Sequence, residues 1–211
     1  MTEVVSQGEP GVVDVAVQLL RAGELIVYPT DTLYGLGAAA GDEEAVRRLY
    51  AAKGRPPGEP LPLLIGDTAM ASWIADMSPV AHQLATRFWP GPLTIVVRKQ
   101  PQFRSLALAG KDTVGLRVPD ADVVRSIIKG LREPITGTSA NRSGNRDPRS
   151  AQEVAFQLGD MVALVIDGGP VRSGTASTVV DVTAEGGPTI LRQGGVTREE
   201  IEQALGKKIA Q

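Results

Sequence analysis

The sequence predicts an α/β protein built on a mixed sheet, and three observations support this fold class. Short apolar runs typical of buried strands recur along the 211 residues. Segments with apolar residues at helical spacing lie between most of these runs. Strand-like runs follow one another in tandem between 163 and 192, which favours antiparallel pairing and argues against a purely parallel sheet. We therefore expect a twisted mixed sheet with flanking helices.

The first elements are predicted from local patterns. Apolar positions at helical spacing indicate a helix over 12–22, and the apolar run 24–30 indicates a short strand that ends at Pro29. Asp42 is predicted to cap a helix over 42–53, because acidic residues occupy the first turn of that segment.

The remaining elements follow the same patterns. Further strands are predicted at 61–65, 93–99, 113–119, 134–139, 163–168, 177–182 and 189–192. Further helices are predicted at 67–77, at 79–89, from an Asp120 cap through Gly130, at 151–159, and from Thr197, with Glu200 at the capping-box position. Since no linker or shift in composition divides the chain, we expect one domain over 1–211 with a core of about 10–205.

Composition excludes several classes of site. The chain has no cysteine and one histidine, His82, which excludes thiolate chemistry and a multi-histidine metal centre. The formal charge of −2 argues against non-specific coating of nucleic acid. No apolar run approaches the length of a transmembrane helix, and the acidic N-terminus lacks a signal-peptide core. We therefore expect a cytoplasmic protein without a membrane segment.

The first candidate site is the segment PTDTLYGLGAAAG at 29–41. Its Gly35-Leu36-Gly37 is a poor dinucleotide fingerprint, because Ala40 stands where the third glycine belongs. Two interpretations remain open. The glycines satisfy only a backbone turn, or the segment is a polar loop in which Thr30 and Thr32 offer hydroxyl groups to a small ligand.

Two pairs of polar residues form the next candidates. Lys53 and Arg55 stand two positions apart, so in an extended segment both would face the same way and clamp one polyanion. Ser139 and Asn141 have the same spacing after a predicted strand, where open α/β sheets place ligand-binding crevices. The alternative for each pair is a set of solvated side chains at a helix end or in a loop.

Single candidates have the same chemical character. They are Thr113 and Arg117 in one predicted strand, Ser177 at the start of another, and Arg192 at the end of a third. Cations, hydroxyls and amides suit phosphate recognition and developing negative charge, whereas no nucleophile accompanies them. Phosphoryl or nucleotidyl transfer fits this set, although no P-loop sequence is present.

The ordered segments PTDTLYGLG, KGRP, WPGPLT, DTVGLRVP, SANRSG, ASTVVDVT and ILRQG resemble the YrdC-like threonylcarbamoyl-AMP synthases. The resemblance covers nearly the whole chain. It implies a twisted α/β sheet around a large basic cavity, and no residue is predicted to be a metal ligand. It also implies that ATP, L-threonine and bicarbonate give threonylcarbamoyl-AMP and pyrophosphate, with Mg²⁺ accompanying ATP. A downstream transferase complex would use the product to modify adenosine 37 of tRNA.

The resemblance also implies roles for individual residues. Lys53 and Arg55 would face the phosphates as the catalytic cations, and Ser139, Asn141, Thr113, Ser177 and Arg192 would complete the ATP site. Thr30 or Thr32, together with Arg117, would bind threonine. The chain departs from many relatives at Leu64, which stands where they carry a histidine that helps to hold threonine.

Two alternatives of other kinds remain open at this point. The first is an RNA-binding module of the same fold, in which the basic loop Arg142–Arg149 touches phosphates. A related expectation is that the enzyme itself makes a weak, direct contact with tRNA. The second is a carbamoyltransferase domain that forms a carbamoyl-adenylate from carbamoyl phosphate.

Overall fold

The strands and helices follow the order that the sequence patterns predict, with three additional strands and with one predicted strand divided in two. The computed structural model describes residues 2–56, 58–171 and 173–209. The strands within these ranges are β1 (Glu3–Ser6), β2 (Ile26–Tyr28), β3 (Gly35–Gly37), β4 (Leu63–Leu64), β5 (Ala75–Asp76), β6 (Leu93–Lys99), β7 (Thr113–Arg117), β8 (Ile135–Thr136), β9 (Thr138–Ser139), β10 (Leu164–Asp167), β11 (Thr178–Asp181) and β12 (Thr189–Arg192). The helices are α1 (Val12–Arg21), α2 (Glu43–Lys53), α3 (Thr68–Ile74), α4 (Pro79–Phe88), α5 (Asp122–Leu131), α6 (Ala151–Leu158) and α7 (Arg198–Leu205).

The strands form two sheets, and each sheet mixes parallel and antiparallel pairs. The first sheet has the order β1-β10-β2-β3-β9, in which β10 runs parallel to both β1 and β2. The second has the order β12-β11-β6-β7-β4-β8, with β5 also paired to β6. Its parallel pairs are β11 with β6 and β4 with β7. The predicted mixed α/β class is therefore confirmed, although the strands divide between two sheets.

The segment predicted as one strand over 134–139 is two strands in different sheets. Its first half, β8, pairs with β4 in the second sheet, and its second half, β9, pairs with β3 in the first sheet. Gly137 lies between the halves, and a Cβ atom there would lie 2.9 Å from Cδ2 of Leu64. The single-strand prediction was wrong because partners distant in sequence decide which sheet each half joins.

The antiparallel pairing predicted for the successive strands between 163 and 192 is found for two of the three strands. β11 and β12 pair antiparallel, as predicted. β10 instead lies between β1 and β2 in the first sheet, so the tandem prediction was wrong for that strand. The sequence patterns did not indicate β1 or β3, since a mostly exposed edge strand and a Gly-Leu-Gly strand lack the usual apolar signal.

Most predicted helix boundaries are confirmed by their caps. Asp42 accepts hydrogen bonds from the backbone N–H groups of Glu44 and Ala45, and Thr197 and Glu200 form the predicted capping box. The predicted Asp120 cap was wrong. The N-cap of α5 is Ala121, and the backbone N–H of Asp120 donates to Asp31 instead.

Helices α1 and α5 pack together on the first sheet through a continuous apolar stripe. α5 buries Val124, Ile127, Ile128 and Leu131, which recur at the spacing of one helical face. These side chains share a core cluster with residues of α1, β2 and β10. Burial of each contributes about 1.5–3 kcal/mol, so the packing fixes the first sheet and the loops at its ends.

The predicted helix over 67–77 ends earlier than expected. α3 stops at Ile74, and the next two residues form β5 on the edge of β6. None of the helices in the described ranges is long and apolar enough to span a bilayer.

Candidate active site

A cavity of about 510 Å³ takes its walls from both sheets. Tyr28 and Ser139 reach it from the first sheet, and Thr113, Ser177 and Arg192 reach it from strands of the second sheet or the residue preceding one. A volume of this size lies within the range of small-molecule sites in proteins.

The cavity brings together eight of the ten residues predicted for the site. Those that line it are Thr30, Thr32, Arg55, Thr113, Arg117, Ser139, Ser177 and Arg192. The other two, Lys53 and Asn141, are buried and are not among its lining residues. Both contact Ser139, so they lie directly against the cavity wall.

Lys53 is held by the residues that follow β9. Its Nζ atom donates to the carbonyl oxygens of Ser139 and Asn141 at 2.6 and 2.8 Å, and it lies 3.2 Å from Oδ1 of Asn141. The Ser139 hydroxyl donates to the same Oδ1 atom at 2.7 Å. Burial and the nearby Arg55 lower the pKa of Lys53 to about 8, while Asp147 acts in the opposite direction. Lys53 is thus neither extended nor solvated, and its ammonium orders the Ser139–Asn141 segment.

Arg55 reaches the cavity because α2 ends sharply before it. Gly54 adopts a left-handed conformation with φ 62°, and the backbone N–H of Arg55 bonds back to the carbonyl of Tyr50. The extended segment expected for Lys53 and Arg55 was therefore wrong, since Lys53 is the last helical residue. Nε of Arg55 lies 3.0 Å from a carboxylate oxygen of Glu59, which orients the guanidinium.

Arg192 is anchored to the start of β11. Its guanidinium donates to the carbonyl oxygen of Ser177 from Nε at 3.2 Å and from Nη2 at 2.9 Å. The Ser177 hydroxyl also lies 2.9 Å from the hydroxyl of Thr94. Burial lowers the pKa of Arg192. The side chain remains charged, because the ordinary pKa of an arginine lies far above neutral pH. This end of the cavity presents a fixed cation beside two hydroxyl groups.

Arg117 is already paired within the protein. Its Nη2 atom donates to Oδ1 of Asp31 at 2.5 Å, Nη1 donates to the hydroxyl of Thr32 at 3.0 Å, and Nε donates to the carbonyl of Gly91 at 2.9 Å. Burial lowers the pKa of Arg117, and the adjacent Asp31 opposes that effect. The guanidinium therefore positions Thr32 at the cavity wall, and Asp31 balances its charge.

The Gly-Leu-Gly segment serves the packing of an aromatic ring. Gly35 and Gly37 form β3, and Cβ atoms at these positions would lie 2.3 and 2.6 Å from ring carbons of Tyr28. The Tyr28 hydroxyl donates to the carbonyl of Thr136 at 2.6 Å. The expected backbone turn was wrong, because Gly35 and Gly37 lie in a strand and leave room for the Tyr28 ring. Thr30 and Thr32 line the cavity, in line with the second interpretation.

Leu64 makes one part of the cavity apolar. It is buried, lines the cavity and packs against Gly137. A histidine at this position would offer a hydrogen bond that leucine cannot make. A hydrogen bond in this part of the cavity would therefore come from other residues, such as Arg117, which lies opposite Leu64 in the pairing of β4 with β7.

Three charged residues that line the cavity were not predicted from the sequence, namely Lys111, Asp147 and Asp181. Lys111 stands two positions before Thr113, and Asp181 lies within the segment ASTVVDVT. Both could therefore have been found from the predicted site residues near them in the sequence. Asp147 had none, because an acidic residue in a loop is usually a solvated side chain. The lining residues thus include four cations and two carboxylates.

The fold and the cavity define an α/β protein with a pocket between two mixed sheets whose charged lining residues are mostly cations. Such a pocket suits a small anionic ligand. A family model for Sua5, YciO and YrdC, described as "Telomere recombination", matches residues 18–194. The chain belongs to this Sua5/YciO/YrdC family.

Relatives and a solved structure agree with this assignment. The chain is 42% identical over 194 residues to "Threonylcarbamoyl-AMP synthase" of Pyrococcus abyssi, with 92% of this chain and 57% of the relative covered. It is 39% identical over 208 residues to the protein of the same name from Bacillus subtilis, covering 98% and 60%. The crystal structure of P. abyssi Sua5 complexed with L-threonine superposes with a TM-score of 0.92 at 40% identity, covering 99% of this chain and 62% of that one. The chain therefore spans about three-fifths of these relatives.

Proposed function

We propose that the protein is an L-threonylcarbamoyladenylate synthase, a nucleotidyltransferase that serves tRNA modification. One observation carries the proposal: segments far apart in sequence bring Arg55, Ser139 and Arg192 to one cavity that also contains Thr32 and Arg117. Cations and hydroxyls suit a triphosphate at one end of this cavity. The names of the relatives and the L-threonine in the Sua5 structure support an amino acid as the second substrate.

The proposed reaction needs no protein nucleophile. The amine of threonine adds to CO₂ with loss of a proton, or to bicarbonate with loss of water, to form N-carboxythreonine. The new carboxylate then attacks the α-phosphorus of ATP. The P–O bond to the β-phosphate breaks, and pyrophosphate leaves with the bonding electrons. The protein's contribution is to position the substrates and neutralise charge. This chemistry agrees with a chain that has no cysteine and whose single histidine, His82, is exposed on α4.

The residues divide between the substrates. Arg55 and Arg192 face the phosphates, and Lys53 adds positive charge from behind Ser139 and Asn141. Thr113 and Ser177 complete the nucleotide side, while Thr30, Thr32 and Arg117 form the threonine side. In this arrangement the amino acid meets the charge-balanced Asp31–Arg117 pair rather than a free cation.

Mg²⁺ enters the proposal as the counter-ion of ATP. No group of three or more acidic or histidine side chains within the described ranges is placed to hold a metal ion. Phosphate oxygens and water would thus supply most of its ligands, as is usual for Mg²⁺ with nucleotides. When bound, the ion neutralises phosphate charge. A transferase complex that acts next on tRNA, and a cytoplasmic location, follow from the same proposal.

The test is direct detection of the product. Purified protein is incubated with ATP, Mg²⁺, L-threonine and bicarbonate, and threonylcarbamoyl-AMP and pyrophosphate are measured by mass spectrometry and a coupled assay. We expect both products in equal amounts, and neither when threonine or bicarbonate is omitted. Product from carbamoyl phosphate without threonine would instead identify a carbamoyltransferase domain. Salt-dependent tRNA binding without ATP turnover would identify an RNA-binding module.

A further inference from the structure

Two carboxylates line the cavity, and their surroundings differ. Asp181 is engaged by Thr183, whose backbone N–H and hydroxyl both donate to its Oδ1 atom at 2.7 Å. Asp147 lies in the loop after β9 and is half-buried. No other residue in the described part of the chain forms a hydrogen bond or close ion pair with its carboxylate. Asp147 therefore presents its carboxylate at the cavity wall.

Asp147 stands among the cations assigned to the triphosphate. It lines the same cavity as Arg55, Ser139 and Arg192. Its charge is close enough to oppose the loss of protons from both Lys53 and Arg192. A carboxylate in this position repels a bare triphosphate, because like charges a few ångströms apart interact strongly in a partly desolvated site.

A divalent cation between the carboxylate and the phosphates would convert this repulsion into attraction. Mg²⁺ prefers oxygen ligands and is commonly bound by one or two carboxylates together with substrate phosphates and water. Asp147 offers one such carboxylate. The Asp181 carboxylate is less available as a second ligand, since one of its oxygen atoms already accepts two hydrogen bonds from Thr183.

We propose that Asp147 is the protein's own ligand for the divalent cation that accompanies ATP. The cation joins the Asp147 carboxylate to the triphosphate held by Arg55 and Arg192. This inference rests on the proposed function and goes beyond it, because it assigns the coupling between metal and nucleotide to one residue of the loop after β9.

The experiment measures how much Mg²⁺ strengthens nucleotide binding. A non-hydrolysable ATP analogue is titrated calorimetrically into the full chain, with and without Mg²⁺ at constant ionic strength. The proteins compared are the wild type, Asp147→Asn and Asp181→Asn, the last being the matched loss of another cavity carboxylate. Far-UV circular dichroism and unfolding curves verify that each variant is folded.

We expect Mg²⁺ to strengthen binding to the wild type and to Asp181→Asn by similar factors. In Asp147→Asn that factor should fall at least about tenfold, in line with the loss of a metal-supporting contact. The metal-free analogue should bind Asp147→Asn as tightly as it binds the wild type, or more tightly, because a repulsive charge has been removed.

An equal Mg²⁺ effect in the wild type and Asp147→Asn would overturn the inference. This includes the case in which the variant binds the metal-free analogue more tightly, since Asp147 would then only repel the nucleotide. The proposed synthase would still stand in that case. If the folded wild type bound no analogue under either condition, both the inference and the proposed function would fail.

Discussion

The Nζ atom of Lys53 lies 3.2 Å from Oδ1 of Asn141, although 88 positions separate the two residues in the chain. A backbone bond from the N–H of Ser143 to the carbonyl of Lys53 joins the same two segments. The end of α2 and the end of β9 therefore form one unit against the cavity wall. A change at Lys53 is transmitted to Ser139 and Asn141 through these contacts.

The first prediction concerns the cations of the proposed nucleotide site. Arg55→Ala should lower turnover about a hundredfold or more, because a lost contact to developing charge costs about 2.7–4 kcal/mol. Lys53→Ala should lower turnover as much, because it removes a nearby positive charge and the ammonium bonds that order Ser139 and Asn141. The assay is steady-state pyrophosphate release with threonine and bicarbonate. Arg47→Ala is the control, since Arg47 is an exposed residue of α2 paired with Glu43. Near-wild-type turnover in both site variants would contradict the proposed roles.

The second prediction is a pH dependence of nucleotide binding. Burial lowers the pKa of Lys53 to about 8, so the empty protein loses this charge as the pH rises through that value. A bound polyphosphate favours the charged ammonium. Binding at pH 8.5 should therefore take up protons and weaken with rising pH, whereas binding at pH 6.5 should take up none at this residue.

Proton uptake is measured by calorimetry in buffers that differ in ionisation enthalpy. Lys53→Met should abolish the uptake at pH 8.5. The lowered pKa of Lys53 also determines whether this residue makes the free energy of unfolding rise or fall with pH. The unfolded chain holds this proton up to about pH 10.5, so the residue's contribution to the free energy of unfolding increases from about pH 8 to that value. Absence of uptake by the wild type at pH 8.5 would show that Lys53 does not sense the nucleotide.

The third prediction concerns the buried ion pair of Asp31 and Arg117. Asp31→Ala leaves the Arg117 guanidinium buried without its counter-charge, which should lower the free energy of unfolding by about 3–5 kcal/mol. Urea denaturation provides the measurement. Asp120→Ala is the control, because Asp120 pairs with Arg125 at the surface, where an ion pair contributes about 1 kcal/mol or less. Equal losses in the two variants would refute a special role for the buried pair.

The fourth prediction concerns the packing of Tyr28 on β3. Gly35→Ala places a Cβ atom 2.3 Å from ring carbon Cε2 of Tyr28, so the ring or the strand must move. Overpacking of this kind should cost about 1–3 kcal/mol in thermal or urea unfolding. Gly186→Ala should be close to neutral, since no atom lies within 4 Å of its added Cβ. In a Tyr28→Ala background, Gly35→Ala should lower the free energy of unfolding by less than it does in the wild type, and an equal loss would exclude the ring as its cause.

The sequence predicted well those features that depend on neighbouring residues. The caps at Asp42 and Thr197 are short-range hydrogen bonds, so the residue pattern identifies them directly. The contact between Lys53 and Asn141 is not local. Its prediction depended on the resemblance to a family rather than on periodicity or spacing.

Features decided by distant partners could not be predicted. The division of 134–139 at Gly137 depends on β4 and β3, and the place of β10 depends on β1 and β2. The pairing of Arg117 with Asp31 likewise joins residues 86 positions apart. The assignment of residues 1–211 to one domain, and the role of each site residue toward substrate, remain predictions.

The crossing at Gly137 places a junction between the two sheets at the cavity itself. One stretch of backbone leaves the second sheet and enters the first there, and the cavity walls continue on either side. A substrate that contacts both walls links the two sheets non-covalently across this junction. Saturating substrate should therefore delay separation of the sheets on heating, since a ligand that binds only the folded state stabilises it by mass action.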